Sequence, residues 1–175
     1  MGYQTGKLVL TLLQLIPEQF SLAGLIAAAI ATNLLATGAV AFMGFALPTS
    51  RLLPASYYRV RQADRLKKWY SLMGGQFFRK FLLLTFYRKE KGKKYFNGTR
   101  EGILAFDHNT RQSEFGHLLA LLLISLIAGA FLFYGHIYLF GWIMVFNVFL
   151  NFYPIPLQRL HRSRTQKLAE RIAAA

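Results

Sequence analysis

Three long apolar runs, separated by strongly basic stretches, are the main feature of this chain. Residues 21–47 carry no charged side chain, residues 115–134 carry no charge beyond His117, and residues 137–153 form the third run. A helix rises about 1.5 Å per residue and the hydrocarbon core of a membrane is about 30 Å thick, so such runs are long enough to cross it. The pattern predicts an all-α integral membrane protein with about three transmembrane helices.

The segment between the first two runs, residues 49–113, is both basic and aromatic. It holds fifteen of the 21 Lys and Arg residues of the chain, with aromatic side chains interleaved among them. We expect residues 65–72 and 76–87 to form interfacial amphipathic helices, with their rings at the headgroup level and their cations on lipid phosphates. The polar stretch 89–98 predicts a turn.

The two ends of the chain carry weaker signals. Residues 8–16 are apolar but stop at Pro17, so they are too short to span a membrane. They either lie in the interface or pack as a short helix, and a contribution to a span stays open. Residues 157–175 form a basic tail. A length of 175 residues predicts one membrane domain, 1–175.

The net positive charge of the chain can be explained without a nucleic-acid partner. The chain is 54% hydrophobic and has a formal net charge of +14. Because basic residues collect on the cytoplasmic side of membrane proteins, this excess is expected of a membrane protein whose partner is a bilayer with anionic headgroups. We therefore expect no nucleic-acid partner. The sequence contains no cysteine, which excludes disulfides and thiolate chemistry.

The basic segments also predict the orientation. The segment 49–113 and the tail are both basic, so a helical hairpin between them must return to the side from which it starts. Three spans satisfy this condition, with the amino terminus outside and both basic segments in the cytoplasm. We expect a multi-pass protein of the cell (inner) membrane.

Polar residues at the cytoplasmic ends of spans two and three are the candidate site. Glu114 and His117 are three residues apart, and Asn147 and Asn151 are four apart, so each pair shares a helix face. A carboxylate can orient an imidazole that takes a proton from a hydroxyl. Nearby guanidinium groups can hold a phosphate or a developing oxyanion. The further candidates follow two prolines, Pro154 and Pro156, which we expect to break the helix: Gln158, Arg159 and Arg162.

Simpler roles compete with each of these assignments. Glu114 can be an acid favoured by the helix dipole, and His117 an interfacial histidine. The two asparagines can be hydrogen-bond partners between helices, and the arginines can be anchors on lipid phosphates. No metal site is expected, because seven acids and four histidines are too few for a metal oxygenase. No resident cofactor is expected either, since there is no Walker loop or dinucleotide glycine motif.

These residues together resemble a known family. The pattern is Arg111-x-x-Glu114-x-x-His117, an apolar hairpin, and then Asn151-x-x-Pro154-Ile155-x-x-Gln158-Arg159-x-x-Arg162-x-Arg164. It resembles the glycosyl-4,4'-diaponeurosporenoate acyltransferases, small bacterial membrane enzymes of carotenoid biosynthesis. The likeness covers roughly residues 65–165 and includes Lys68-Trp69-Tyr70.

The resemblance implies transfer of a fatty acyl group to a hydroxyl of a glycosylated carotenoid or similar lipid. His117 would then be the general base and Glu114 its orienting partner. The substrate-binding residues would be Asn147, Asn151, Gln158, Arg159 and Arg162. The acyl donor, such as acyl-CoA or an acyl carrier protein, is a co-substrate that the sequence does not identify.

Two other functions stay open at this point. One is a different membrane lipid-modifying enzyme, such as a methyltransferase, for which we find no S-adenosylmethionine motif. The other is a non-enzymatic scaffold subunit on anionic lipid, in which Glu114 and His117 would tolerate substitution. The sequence does not determine the oligomeric state.

Overall fold

The computed structural model describes residues 1–15, 21–85 and 99–173, and nearly all of these residues are helical. The elements are α1 (Gly2–Gln14), α2 (Leu22–Ala46), a 3-10 turn (Thr49–Arg51), α3 (Ala55–Tyr58), α4 (Ala63–Leu72), α5 (Gly75–Thr85), α6 (Arg100–Phe133), α7 (Ile137–Asn147), a π-helical turn (Val148–Phe152) and α8 (Pro154–Ala173). No strand occurs in the described ranges, which confirms the all-α fold class.

Three helical segments are long and apolar enough to cross a membrane: Leu22–Gly44, Glu101–Phe133 and Ile137–Glu170. The first agrees with the predicted span 21–47. The second belongs to a helix that starts at Arg100, well before the predicted start at residue 115. This extension was not predicted, because the turns of α6 before the apolar run carry many polar residues and show no clear apolar face.

The chain forms two compact units, which we call the apolar unit and the basic unit. The apolar unit comprises residues 1–47 and 116–152, and the basic unit comprises residues 48–115 and 153–175. The expected single domain stays a prediction.

Small residues make up part of the buried core of the apolar unit, beside larger aliphatic and aromatic ones. Ala29, Ala36, Ala120 and Ala128 are completely buried. Small side chains let helix backbones approach closely, which is how helices associate when lipid removes the usual hydrophobic drive. The buried amide of Asn33 links α2 to α7, donating to Ile143 O at 3.1 Å.

The short apolar run near the amino terminus is helical. It lies within α1, which begins at Gly2 and packs against α2 with Leu12 buried. This agrees with the expected short helix. Its predicted last residue, Ile16, lies outside the described residues.

A Schellman motif closes the tip of the hairpin between α6 and α7. His136 N donates to Phe131 O at 2.9 Å, and Gly135 N donates to Leu132 O at 3.1 Å. Gly135 has a φ of +85°, a conformation that favours glycine because it has no Cβ.

The two predicted amphipathic helices are present in the basic unit as α4 and α5. They meet at Gly74, whose φ of +78° again favours glycine. Apolar side chains along them stay exposed, among them Leu72 and Phe77, each at 78% of full exposure. Helix α5 ends at Thr85, so Tyr87 and the predicted turn 89–98 lie outside the described residues.

The prolines begin a new helix, which corrects the expectation that they only break one. Helix α7 widens into the π-helical turn Val148–Phe152, and Pro154 is the first residue of α8. Proline is well tolerated at a first helical position, because its missing N–H would have no partner there. The basic residues after residue 157 therefore lie on a helix that continues to Ala173.

Candidate functional site

The imidazole of His117 is the first member of a hydrogen-bonded chain inside the apolar unit. Its Nδ1 lies 3.3 Å from Asn151 Oδ1. Asn151 Nδ2 donates to Asn147 Oδ1 at 3.0 Å. Asn147 Nδ2 in turn donates to the backbone carbonyl of Leu121 at 3.0 Å, and it lies 3.2 Å from Ser125 Oγ. Both asparagines are completely buried.

This series of hydrogen bonds determines which nitrogen of His117 carries the proton. The carbonyl of Leu121 can only accept, so the amide nitrogen of Asn147 must face it and its oxygen must face Asn151. The oxygen of Asn147 accepts a hydrogen bond from the amide nitrogen of Asn151. Oδ1 of Asn151 therefore faces the imidazole ring of His117. Because an amide oxygen only accepts, Nδ1 of His117 carries the proton and Nε2 presents its lone pair.

The π-helical turn places the second amide in this chain. Asn147 ends α7 and Asn151 lies within Val148–Phe152. Pro154 and Pro156 have no N–H with which to continue the hydrogen bonding of α7, and their rings crowd the preceding carbonyls, which favours a wider turn just before α8. Such π-turns occur frequently at functional sites.

The basic unit contains a separate ionic cluster around Glu114. The carboxylate is completely buried. Oε1 accepts from Arg159 Nε at 2.7 Å, and Oε2 accepts from Arg162 Nη2. Ser113, the neighbour of Glu114, accepts a hydrogen bond from Gln158 at 3.1 Å.

Arg162 is enclosed by the turn of chain around Tyr58. Its side chain is completely buried, and Nε donates to Tyr58 O at 2.8 Å. The guanidinium also lies over the ring of Tyr58, with its carbon 5.0 Å from the ring centroid. Arg159 lies similarly over Tyr57, at 4.6 Å, but its side chain is partly exposed.

These contacts change the role expected of Glu114. We predicted that it orients an imidazole, whereas both its oxygens hold guanidinium groups. A buried carboxylate needs compensation for its lost hydration, and two cationic partners provide far more of it than a neutral ring. The partner that orients His117 in this structure is Asn151.

The substrate-binding residues expected from the sequence fall into two groups. Asn147, Asn151 and Arg162 are fully buried. Both amides are hydrogen-bonded inside the apolar unit, and Nε and Nη2 of Arg162 are hydrogen-bonded inside the basic unit, which favours a structural or positioning role. Gln158 and Arg159 are partly exposed, so substrate binding stays a prediction for them. The amide pair matches the interhelical hydrogen bonding that was the simpler alternative.

Three residues in and around the ionic cluster were missed by sequence reasoning. Tyr57 and Tyr58 were counted only among the aromatic residues of the basic segment 49–113, and Gln166 was not considered. Gln166 accepts from Val60 N at 3.2 Å. Burial raises the pKa of Tyr57 and of Tyr58, with the Glu114 carboxylate adding to the increase in each case. The one available signal was the Tyr57-Tyr58 pair shortly after Pro54.

No group of three or more His, Cys, Asp or Glu side chains suited to a metal ion occurs among the residues that the structure describes. The two polar networks offer acid–base and charge-stabilising chemistry through their own side chains.

Comparison with protein-family models gives a match to glycosyl-4,4'-diaponeurosporenoate acyltransferase, over residues 54–171. The chain belongs to this family. The match extends the predicted resemblance, 65–165, at both ends and includes Tyr57 and Tyr58. No curated protein matches the chain, and no solved structure does.

Membership in the glycosyl-4,4'-diaponeurosporenoate acyltransferase family associates the chain with acyl transfer in carotenoid biosynthesis. The matched region contains the whole ionic cluster, and it contains His117 with both asparagines. It does not contain α1 or α2, so Thr37, whose hydroxyl lies 3.2 Å from Asn151 Oδ1, belongs to the unmatched part.

Proposed function

We propose that this member of the glycosyl-4,4'-diaponeurosporenoate acyltransferase family transfers a fatty acyl group to a hydroxyl of a glycosylated carotenoid or similar lipid, with His117 as general base. The observation that carries the proposal is the amide chain behind the imidazole, because it leaves Nε2 unprotonated. The family match supports the acyl transfer itself. Three helices of membrane-spanning length support a lipid-soluble acceptor.

The reaction needs one proton to move twice. Nε2 of His117 takes the proton of the acceptor hydroxyl as the oxygen attacks the acyl carbonyl carbon. The same nitrogen then returns the proton to the leaving group as the acyl bond to the donor breaks. The hydrogen bond from Nδ1 to Asn151 holds the ring in place through both steps. A positioned general base contributes about 10²–10⁴ in rate.

The test is replacement of the base. We expect His117→Ala to lower acylation about 10²–10⁴-fold while the protein still inserts into the membrane. Mass spectrometry of pigments and lipids, from cells with and without the gene, measures the acyl chain gained. His108→Ala is the matched control, because His108 is an exposed histidine on the same helix. Wild-type acylation by His117→Ala would show that another group is the base.

We also propose the orientation expected from the charges. The basic segment 49–113 and the basic residues after 157 then lie on the cytoplasmic side, and the hairpin tip at Gly135 lies outside. The contrast in charge supports this orientation. Among the described residues of the apolar unit, Lys7 is the only Lys, Arg, Asp or Glu.

A further inference from the structure

A cavity of about 330 Å³ in the basic unit is lined by four arginines: Arg59, Arg61, Arg65 and Arg159. No carboxylate lines it among the described residues. Trp69 lies on the same wall as Arg65, one helical turn further along α4. Like charges around one cavity repel each other, and an anion bound there would relieve that repulsion.

We propose that this cavity binds the phosphates of the acyl donor, and that the donor is a thioester of coenzyme A. This inference rests on the proposed acyl transfer and adds the identity of the carrier. The hydroxyl oxygen of the acceptor bonds to the thioester carbonyl carbon and the carbon–sulfur bond breaks. The hydroxyl proton goes to the general base and then to the sulfur, so an ester and free coenzyme A leave.

The chemistry of the lining matches the nucleotide end of coenzyme A. That end carries a diphosphate, a 3′-phosphate and an adenine ring. Guanidinium groups bind phosphate with paired, charge-assisted hydrogen bonds, which lysine does not match. Trp69 is 43% exposed and lines the cavity, and aromatic side chains of this kind stack with nucleobases. The cavity volume lies within the usual range for small-molecule sites, about 300–1,000 Å³.

Arg159 is the arginine whose position is best fixed. Its Nε is held by Glu114 Oε1 at 2.7 Å, and its guanidinium lies over the ring of Tyr57. Glu114 also holds Arg162, so one carboxylate is shared by two cations and a net positive charge remains. The guanidinium therefore needs little reorganisation to meet a phosphate, which lowers the cost of binding.

A neighbouring cavity provides the internal comparison. It has a volume of about 400 Å³ and is lined by Lys67, Lys68 and Asp64, together with polar and apolar residues of α4 and α5. Its cations lie on the same helix as Arg65, but an acid is present among them. General attraction of anions to the basic unit would involve both cavities, whereas the proposed site involves only the arginines.

The experiment measures binding without catalysis. The chain has two tryptophans, so Trp142→Phe leaves Trp69 as the only indole. This variant is placed in nanodiscs of phosphatidylcholine and titrated with coenzyme A, with pantetheine and with sn-glycerol 3-phosphate, while the fluorescence of Trp69 is recorded. We expect saturable quenching by coenzyme A and none by pantetheine, which lacks the phosphates and the adenine.

Matched variants locate the site. Arg61→Gln and Arg65→Gln should each weaken coenzyme A binding about tenfold, as expected for loss of a charge-assisted contact. Lys67→Gln and Lys68→Gln remove the same charge from the neighbouring cavity and should change the dissociation constant less than about twofold. Equal weakening by the lysine and arginine variants would overturn the site.

The remaining outcomes distinguish a failure of the proposed coenzyme A site from a failure of the proposed acyl transfer. Saturation by sn-glycerol 3-phosphate as strong as that by coenzyme A would make the cavity a lipid-headgroup site and overturn the proposal. Absence of saturable binding, together with acylation that depends on His117 in cells, would also overturn it while leaving the proposed acyl transfer in place. Binding with the expected selectivity by a chain that does not acylate would retain the site and refute the transfer.

Discussion

Replacing Glu114 by glutamine should strongly destabilise the basic unit. The carboxylate and Arg162 are both completely buried, and the carboxylate also holds Arg159. Glu114→Gln keeps the shape of the side chain but removes its charge, so the guanidinium of Arg162 stays buried without a counter-charge. Breaking a buried ion pair in this way costs about 3–5 kcal/mol.

A second substitution tests the reason for the loss. Arg162→Met in the Glu114→Gln background removes the uncompensated charge and fills most of the volume. The glutamine side chain at position 114 would keep an oxygen that accepts from Arg159. We expect the double variant to be more stable than Glu114→Gln alone. With Arg162→Met alone completing the cycle, the coupling energy should be at least about 2 kcal/mol.

A partly exposed pair on the same helix is the control. Arg111 Nε lies 2.7 Å from Asp107 Oδ2, but these side chains are 29% and 22% exposed. Asp107→Asn should cost no more than about 1 kcal/mol, because water screens the pair. Denaturation in detergent micelles, followed by the helical circular dichroism signal, measures the stability of each variant. Similar losses from Asp107→Asn and Glu114→Gln, or additive effects in the double variant, would refute the reasoning.

Two further predictions concern the apolar unit and the orientation. In Asn147→Ala the amide of Asn151 is free to turn, so we expect acylation to be about 10–100-fold slower and the proton of His117 to shift toward Nε2. ¹⁵N NMR of labelled histidine measures the tautomer of His117. An unchanged tautomer would contradict the role of Asn147. Because the chain has no cysteine, single cysteines report the orientation. Lys67→Cys should react with an impermeant thiol reagent only from the cytoplasmic side and Tyr138→Cys only from outside, and the reverse labelling would contradict it.

Hydropathy predicted the helices, because length and apolar character are properties of single segments. The helices α4 and α5 could be predicted from a different local property, the mixture of aromatic and basic residues along each of them. The start of α6 could not, because the polar turns before residue 115 have no clear apolar face to reveal a helix. Pro154 was interpreted as a break because proline disrupts the interior of a helix, whereas here it occupies the first position.

Partner choice was the least predictable property of the site. Spacing places Glu114 and His117 on one helix face, but it does not say which neighbour each side chain meets. The carboxylate binds arginines from α8, and the imidazole binds an amide from the π-helical turn. The tautomer of His117 depends on a backbone carbonyl, Leu121 O. Every residue has a backbone carbonyl, so a sequence pattern cannot show which one is used.

The two polar networks use different chemistry, and the membrane explains the difference. Removing an ion from water costs several kcal/mol even after relaxation, and lipid offers no compensating solvent. In the apolar unit the support for His117 consists of neutral amides, hydroxyls and a carbonyl, so no buried charge needs a partner. A carboxylate in the place of Asn151 would hold the ring more strongly, but it would need a cation that none of the described spanning residues of this unit supplies. The amide of Asn151, which is itself oriented by the amide of Asn147, fixes the tautomer of His117 without burying a charge.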